Sequence, residues 1–421
     1  MRKYPVPCLA AAILMAACGG SDSSSSSSSA AGARLLYPTT IAGVGAGTNF
    51  SFDLGVVSGN RYYVTDRNNA SVDVFNTANS TLVAQIRGVG ASAFTGLTVV
   101  NGAIDNSVSG PDGINVVGNL LYVGDVNSVK VVDPSINQVV KTITVGTSGK
   151  RADEGCVDPA HNLYMISTPE ADTPFATFIN TVTQTVVAQV NFTDASGNPS
   201  LGLEQCRYDA ASDTFFVNND GTTANPNGEL VAIPGASIRS LPSGATVNYV
   251  SVGATPGLPV LAGVKAYSEG NCDPTGLALG PGNDIAVGCR EATAGTPLLV
   301  QIMDRTNGTI LKSINAGGGD QIEYDASTNR YYNAGSRWTA SGKAGPKGAC
   351  TAASPCTPVL SIIDAATRTL VTQLSTGNNA HSVAVDGVIG KAFLPISSGT
   401  SPAGCATCGI EPAGLLTFAI R

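Results

Sequence analysis

One phrase recurs along this chain, and its recurrence constrains the fold more than any single motif does. Gly317-Gly-Gly-Asp-Gln-Ile-Glu-Tyr-Asp-Ala-Ser-Thr-Asn-Arg-Tyr-Tyr332 reads as a polar tip, a short strand, a turn from Asp325 to Asn329 and a second strand. Gly202-Leu-Glu-Gln-Cys-Arg-Tyr-Asp-Ala-Ala-Ser-Asp-Thr-Phe-Phe216 matches it position for position without a gap. Looser copies are Arg151-Ala-Asp-Glu-Gly-Cys-Val-Asp-Pro159 and Ala380-His-Ser-Val-Ala-Val-Asp386.

Each copy is followed by a third strand ending in an Asx or Pro turn and by a fourth, edge-like run. The first unit shows all four as Ser51–Val57, Arg61–Asp66, Ser71–Asn76 and Leu82–Ile86; the second as Gly113–Val117, Leu120–Asp125, Val129–Asp133 and Val139–Val145. Further third strands fall at Phe175–Asn180, Glu229–Pro234, Leu298–Asp304, Val359–Asp364 and Gly414–Ile420. Their spacing of roughly 45–70 residues is the blade spacing of a propeller with loop insertions. No window carries the three-and-four apolar spacing of a helix, so an all-β chain is expected. The fold expected is a seven-bladed β-propeller occupying 34–421 as a single domain. The last unit lacks a fourth strand, and the β-like run Leu35-Leu-Tyr-Pro-Thr-Thr-Ile41 is expected to supply it and close the ring.

Tyr63-Val-Thr-Asp66 followed by Ser71-Val-Asp-Val-Phe-Asn76 resembles the YVTN type of β-propeller. More broadly, everything after residue 33 resembles a group of exported bacterial propellers that carry the RADE, GLEQ, GGD(Q/E) and AHS phrases.

The amino terminus fits export. A basic Met1-Arg-Lys precedes an apolar run, Pro7–Ala17, that is too short to span a bilayer. It ends Leu14-Met-Ala-Ala-Cys18-Gly-Gly, which resembles a bacterial lipoprotein signal. That resemblance implies that 1–17 is a signal peptide and that Cys18 is lipidated; an ordinary secretory signal is the alternative. Residues 18–33 then form a serine-rich flexible spacer. Gly19 rather than Asp follows the cysteine, so an outer-membrane lipoprotein facing the periplasm or the cell surface is expected, with the membrane reached through the lipid alone.

Ten cysteines less Cys8 and Cys18 leave eight, an even number suited to an oxidising compartment. Cys156 and Cys206 fall in corresponding repeats and so could bridge neighbouring units. Cys272 and Cys289 flank one strand pair, while Cys350/Cys356 and Cys405/Cys408 each share a loop. A zinc knuckle at Cys405-Ala-Thr-Cys408 is the competing explanation, but no histidine or second CxxC accompanies it. The net charge of −7 and the absence of basic clusters argue against nucleic acid.

In a propeller the first strand of each unit lines the axial channel. Aligning the units on the repeated phrase places Phe52, Asp112, Asp153, Glu204, Thr275, Asp320 and His381 at the channel mouth. The next position holds Asp53, Gly113, Glu154, Gln205, Gly276, Gln321 and Ser382. Converging carboxylates must be protonated, hydrogen-bonded or neutralised by a cation. Asp112, Asp153, Glu204, Asp320 and His381 are therefore candidate metal ligands, for Ca²⁺ or a softer divalent ion. Asp53, Glu154, Gln205, Asp273, Gln321 and Trp338 are candidate pocket residues. The competing explanation is that these groups cap strand ends or hold channel water.

Loops between second and third strands open on the same face and lengthen from the third unit onward. Asn218–Gly228, Ala334–Pro358 (which holds Trp338) and Ser397–Ala413 are the longest. Two functions follow. One is a monomeric binding module for a metal, a small molecule or a protein at the loop face. The other is a metal-assisted lactonase, hydrolase or lyase with Glu204 or His381 moving a proton, since the acidic slot looks similar to the axial metal sites of gluconolactonase and streptogramin-lyase propellers.

Overall fold

Asx side chains set the hairpins on which every unit is built. At the end of the third strand, Asn76 accepts from the amide of Ala78 at 2.8 Å, Asp133 from Ser135 at 2.9 Å and Asn180 from Val182 at 3.0 Å. Asp304 does the same for Thr306 at 2.9 Å and Asp364 for Thr367 at 2.8 Å. Such turns reverse the chain without leaving backbone donors unpaired, so short β-branched runs pair antiparallel with their neighbours.

The computed structural model describes residues 32–45, 49–223, 225–251, 261–290, 295–339, 342, 356–397 and 413–421. The signal segment, Cys18, the spacer, Cys350, Cys405, Cys408 and most of the two longest loops lie outside the described residues.

Seven small sheets result. Blade one comprises Phe52–Ser58, Arg61–Asp66, Ser71–Asn76 and Leu82–Ile86; blade two Ile114–Val117, Leu120–Asp125, Ser128–Asp133 and Gln138–Thr144. Blade three holds Gly155–Asp158, Leu163–Thr168, Phe175–Asn180 and Thr185–Thr193; blade four Leu203–Asp209, Thr214–Asn219, Glu229–Pro234 and Lys265–Ser268. Blade five holds Pro274–Leu279, Asp284–Cys289, Leu299–Asp304 and Thr309–Asn315; blade six Ile322–Asp325, Arg330–Gly335, Val359–Asp364 and Thr369–Ser375. Blade seven has Ala384–Asp386, Lys391–Ile396 and Gly414–Ala419, with Arg34–Thr40 paired antiparallel outside the last. First strands touch in the order one to seven and back to one, which closes a ring. The chain is a seven-bladed β-propeller.

The core lies between blades. Each of seven apolar clusters draws its residues from two adjacent sheets, among them Val64, Phe75 and Phe393 between seven and one, and Phe178, Phe215 and Val231 between three and four. Inner strands approach so closely that some positions admit only glycine. A Cβ on Gly113 would lie 2.1 Å from the carbonyl oxygen of Asp153, one blade away.

Blade three departs from the four-strand expectation. After its third strand, blade four turns through a short helix, Gly235–Arg239, and sends Ala245–Val250 back to pair parallel with Thr185–Thr193. Only then does Lys265–Ser268 finish blade four. The detour covers the open edge of a nine-residue outer strand, the longest in the propeller. A disulfide between Cys156 and Cys206 ties the inner strands of the same two blades, and Cys272–Cys289 closes within blade five. Cys356 is also disulfide-bonded.

Deleting residues 1–41 removes the strand that completes blade seven and exposes the edge of Gly414–Ala419. Thermal melting followed by circular dichroism is expected to broaden and shift down on the order of 5–10 °C. An unchanged midpoint would mean that closure contributes nothing.

Candidate functional site

The channel mouth is built at the ends of the inner strands, where the repeat puts its polar tip. Asp112 is fully buried, and Asp53, Asp153, Glu154 and His381 are each less than a tenth exposed. One ligand oxygen from each of Asp53, Asp112 and Asp153, on blades one, two and three, lies within 4.8 Å of the others.

These carboxylates are not left facing one another. Arg67, which directly follows the second strand of blade one, reaches Asp53 Oδ2 at 2.9 Å and Asp112 Oδ1 at 2.5 Å, and donates to the Phe52 carbonyl at 2.7 Å. Arg151, just before the inner strand of blade three, meets Asp153 Oδ2 at 2.8 Å and Glu170 at 2.9 Å. It also lies 3.4 Å from Asp53 Oδ2 and 3.5 Å from Asp112 Oδ1. The guanidiniums thus engage one oxygen of each aspartate. Of the remaining oxygens, Asp112 Oδ2 and Asp153 Oδ1 are buried without a hydrogen-bond partner, and Asp53 Oδ1 faces His381 Nε2 at 3.8 Å.

Arg290 organises the other side of the mouth. Its guanidinium is 3.2 Å from Glu204, 3.7 Å from Asp220 and 3.6 Å from Asp273, with Asp320 in its field. The ring expected from the sequence is therefore divided. Asp112 and Asp153 join Asp53; Glu204, Asp273 and Asp320 group around Arg290. His381 stacks on Phe52 at 4.6 Å, with Nδ1 held 2.8 Å from the Asn379 carbonyl. Trp338 sits beside Gly317 and Gly342 at the base of its loop.

Gln205 and Gln321 turn out to join blades. Inner strands of neighbouring blades form no ladder with each other, so amides that find no backbone partner across the gap need side-chain partners. Gln205 Oε1 accepts from Leu277 N at 2.7 Å. Gln321 Oε1 accepts from Val383 N at 2.9 Å and from Ser382 Oγ at 2.6 Å, while its Nε2 donates to the Gly55 carbonyl at 3.1 Å. Glu323 Oε2 accepts from Val385 N at 2.9 Å, and Thr275 Oγ1 donates to the Gly319 carbonyl at 3.0 Å.

Burial raises most of these acids. It pushes Asp112 up to about 7 although Arg67 and Arg151 pull the other way. Asp153 is raised by burial against the pull of Arg151, with Asp53 and Asp112 adding to the rise. Glu154 is raised by burial and by Glu204. Burial likewise raises Glu204, against Arg290. Asp53 is the exception: burial is outweighed by Arg67, His381 and Arg151, which hold it well below the carboxylate range. Burial thus favours the neutral form at most of these acids, and Asp53 is the one its charged neighbours hold ionised.

The sequence did not single out Arg67, Arg151 or Arg290 as site residues. Their signal was position, because in a chain with only 23 basic residues these three abut the inner and second strands. A second acidic group also went unnoticed: Asp158, His161 and Asp213, at the hairpin turns of blades three and four. His161 Nδ1 is 2.7 Å from Asp158, and Arg239 is 2.6 Å from Asp213 and 3.5 Å from Asp158, so that group is already bridged by the Arg239 guanidinium.

No protein-family model matches the chain, and no curated protein matches it. Solved structures do resemble it. Hydrazine synthase of Kuenenia stuttgartiensis aligns over 86% of this chain and 96% of its own, at 15% identity and a TM-score of 0.56. A chain of the mitotic checkpoint complex covers 99% of both at 11% identity and 0.55. U3-55K covers 93% of this chain and 99% of its own at 10% identity and 0.56. At such identities the likeness is one of fold alone.

Burial pushes Glu323 from 4.5 up to about 8. Between those values the folded protein holds a proton that the unfolded chain has released, so the contribution to stability declines as pH rises through the window. Glu323→Gln keeps the acceptor for Val385 and removes the titration. The variant is expected to match wild type at pH 5 and exceed it on the order of 1–2 kcal/mol at pH 9 in urea denaturation. Parallel pH profiles would contradict this.

Proposed function

We propose that this protein is an exported, lipid-anchored, monomeric propeller that binds a divalent cation at its acidic channel mouth. The cation is Ca²⁺ or another divalent metal, held alone or as the bridge to a small molecule or protein on the loop face. The observation that carries this is the pattern of used and unused oxygens on three buried aspartates. Arg67 and Arg151 take one oxygen from each, while Asp112 Oδ2 and Asp153 Oδ1 are buried and unpartnered. Burying a polar oxygen with no partner is costly, and a hard cation satisfies several such oxygens at once. Export and anchoring are supported by the Leu14-Met-Ala-Ala-Cys18 sequence and the serine spacer. Disulfides in the folded domain fit the same compartment.

The metal-assisted hydrolase or lyase alternative draws on the same mouth but has weaker support. Glu204 is ion-paired with Arg290, which ties up one of the two residues that this reading needs to move a proton.

Calorimetric titration of Ca²⁺ and Mn²⁺ into chelator-treated protein is expected to show one site per chain. Asp112→Asn should weaken it at least about tenfold, since one anionic ligand is lost. Saturating metal at a hundred times Kd should stabilise wild type by about 2.7 kcal/mol and the variant much less. No heat with either ion would remove the proposal. Turnover of a lactone and ester panel that disappears in His381→Ala would establish the hydrolase instead.

A further inference from the structure

Deeper along the same inner strands, toward the hairpins that join first to second strands, the channel opens into a cavity of 340 Å³. Its walls mix aliphatic and polar side chains, with Leu54, Val56 and Ile114 beside Asn115, Gln205 and Gln321. Arg207 from blade four and Glu323 from blade six, which hold the same position in the two gapless copies of the repeat, also line it.

Arg207 differs from the mouth arginines. Its Nη1 donates to the Cys206 carbonyl at 2.8 Å and its Nη2 to the Ile322 carbonyl at 3.1 Å, and among the described residues no carboxylate comes within ion-pair distance. Burial pulls its pKa down while Glu154 and Glu323 act only through space. A partly buried guanidinium whose hydrogen bonds go to neutral carbonyls is a cation lacking a paired counter-ion. Its five donors form a planar fork, of which two carbonyls use only part. Nearby, Asn115 Oδ1 accepts from Tyr164 at 3.0 Å, which leaves its Nδ2 without a partner among the described residues.

We propose that this cavity binds a small organic carboxylate, the carboxylate on Arg207 and an apolar body against the aliphatic walls. A free phosphate fits less well, because it offers nothing to the aliphatic part of the lining, Leu54, Val56 and Ile114. Glu323, whose pKa burial raises to about 8, is protonated at neutral pH and donates to a ligand oxygen rather than repelling it. The site is separate from the cation mouth, so either can fail without the other.

4-Fluorobenzoate, followed by ¹⁹F NMR linewidth and shift, is a direct probe, with 4-fluorobenzamide as its uncharged isostere. Wild type is expected to bind the acid with a Kd of about 1 mM or tighter and the amide at least about tenfold more weakly. Arg207→Gln should abolish the preference for acid over amide, whereas Lys141→Gln, which removes an exposed charge from the outside of blade two, should not. Equal binding of acid and amide by wild type, or none of either, overturns the proposal without relying on any variant. A folded Arg207→Gln that retains the preference also overturns it, as does displacement by inorganic phosphate at lower concentration than the acid itself requires.

Discussion

The buried guanidinium of Arg67, shared between Asp53 of its own blade and Asp112 of the next, is the interaction on which the centre of this molecule depends. A propeller brings seven inner strands around one axis, yet those strands form no hydrogen-bonded ladder with their neighbours. Single backbone bonds cross some gaps, as from Gly276 N to the Gly319 carbonyl at 3.1 Å, and side chains supply most of the rest. Arg67 and Arg151 link blades one, two and three through aspartate oxygens. Gln205, Thr275, Gln321, Ser382 and Glu323 cap backbone groups across the gaps from blade four round to blade one, and the Cys156–Cys206 disulfide ties blades three and four. Desolvating such ions is expensive, and an ion pair of this kind specifies an arrangement more than it stabilises one; removing a single partner costs about 3–5 kcal/mol because a buried charge is stranded. Gly113 belongs to the same design, since blades two and three, which Arg151 joins, approach so closely that a Cβ there would meet the Asp153 carbonyl.

That network also decides what the mouth can bind. Three aspartates meet two arginines, with Glu154 nearby, in a place water reaches poorly. Burial pushes Asp112 up to about 7 despite two guanidiniums beside it, so the site stabilises its ionised form only incompletely. Further along the axis Arg207 lines a cavity with its hydrogen bonds on two carbonyls and, among the described residues, no ion-paired carboxylate. The proposed cation and carboxylate sites therefore lie at different depths of one channel.

Much of this was legible in the sequence, and the limits have physical reasons. The gapless match of 202–216 to 318–332 carries strand, turn and strand, because Asx turns and alternating apolar residues are local. The missing fourth strand of the last unit pointed to Arg34–Thr40, because an open ring leaves an unpaired edge. The polar tips were found on the axis, but not how they divide there. Asp112 and Asp153 share a site with Asp53, whereas Glu204 and Asp320 attend Arg290, a split set by arginines that lie outside the repeated phrase. The cross-blade role of Gln205 and Gln321 was also hidden, because it depends on backbone amides more than 60 residues distant. Nor does local sequence announce that Ala245–Val250 returns to blade three, since a parallel edge pairing has no turn signal of its own.

The most direct test of the central claim is anomalous diffraction from crystals grown with Mn²⁺. The account places one peak bounded by Asp53, Asp112 and Asp153, on the side away from Arg67 and Arg151, with Glu204 still paired to Arg290. A saturated crystal with no peak there, or with manganese only at Asp158, His161 and Asp213, would show that the mouth is a purely internal ion lattice and would end the proposal.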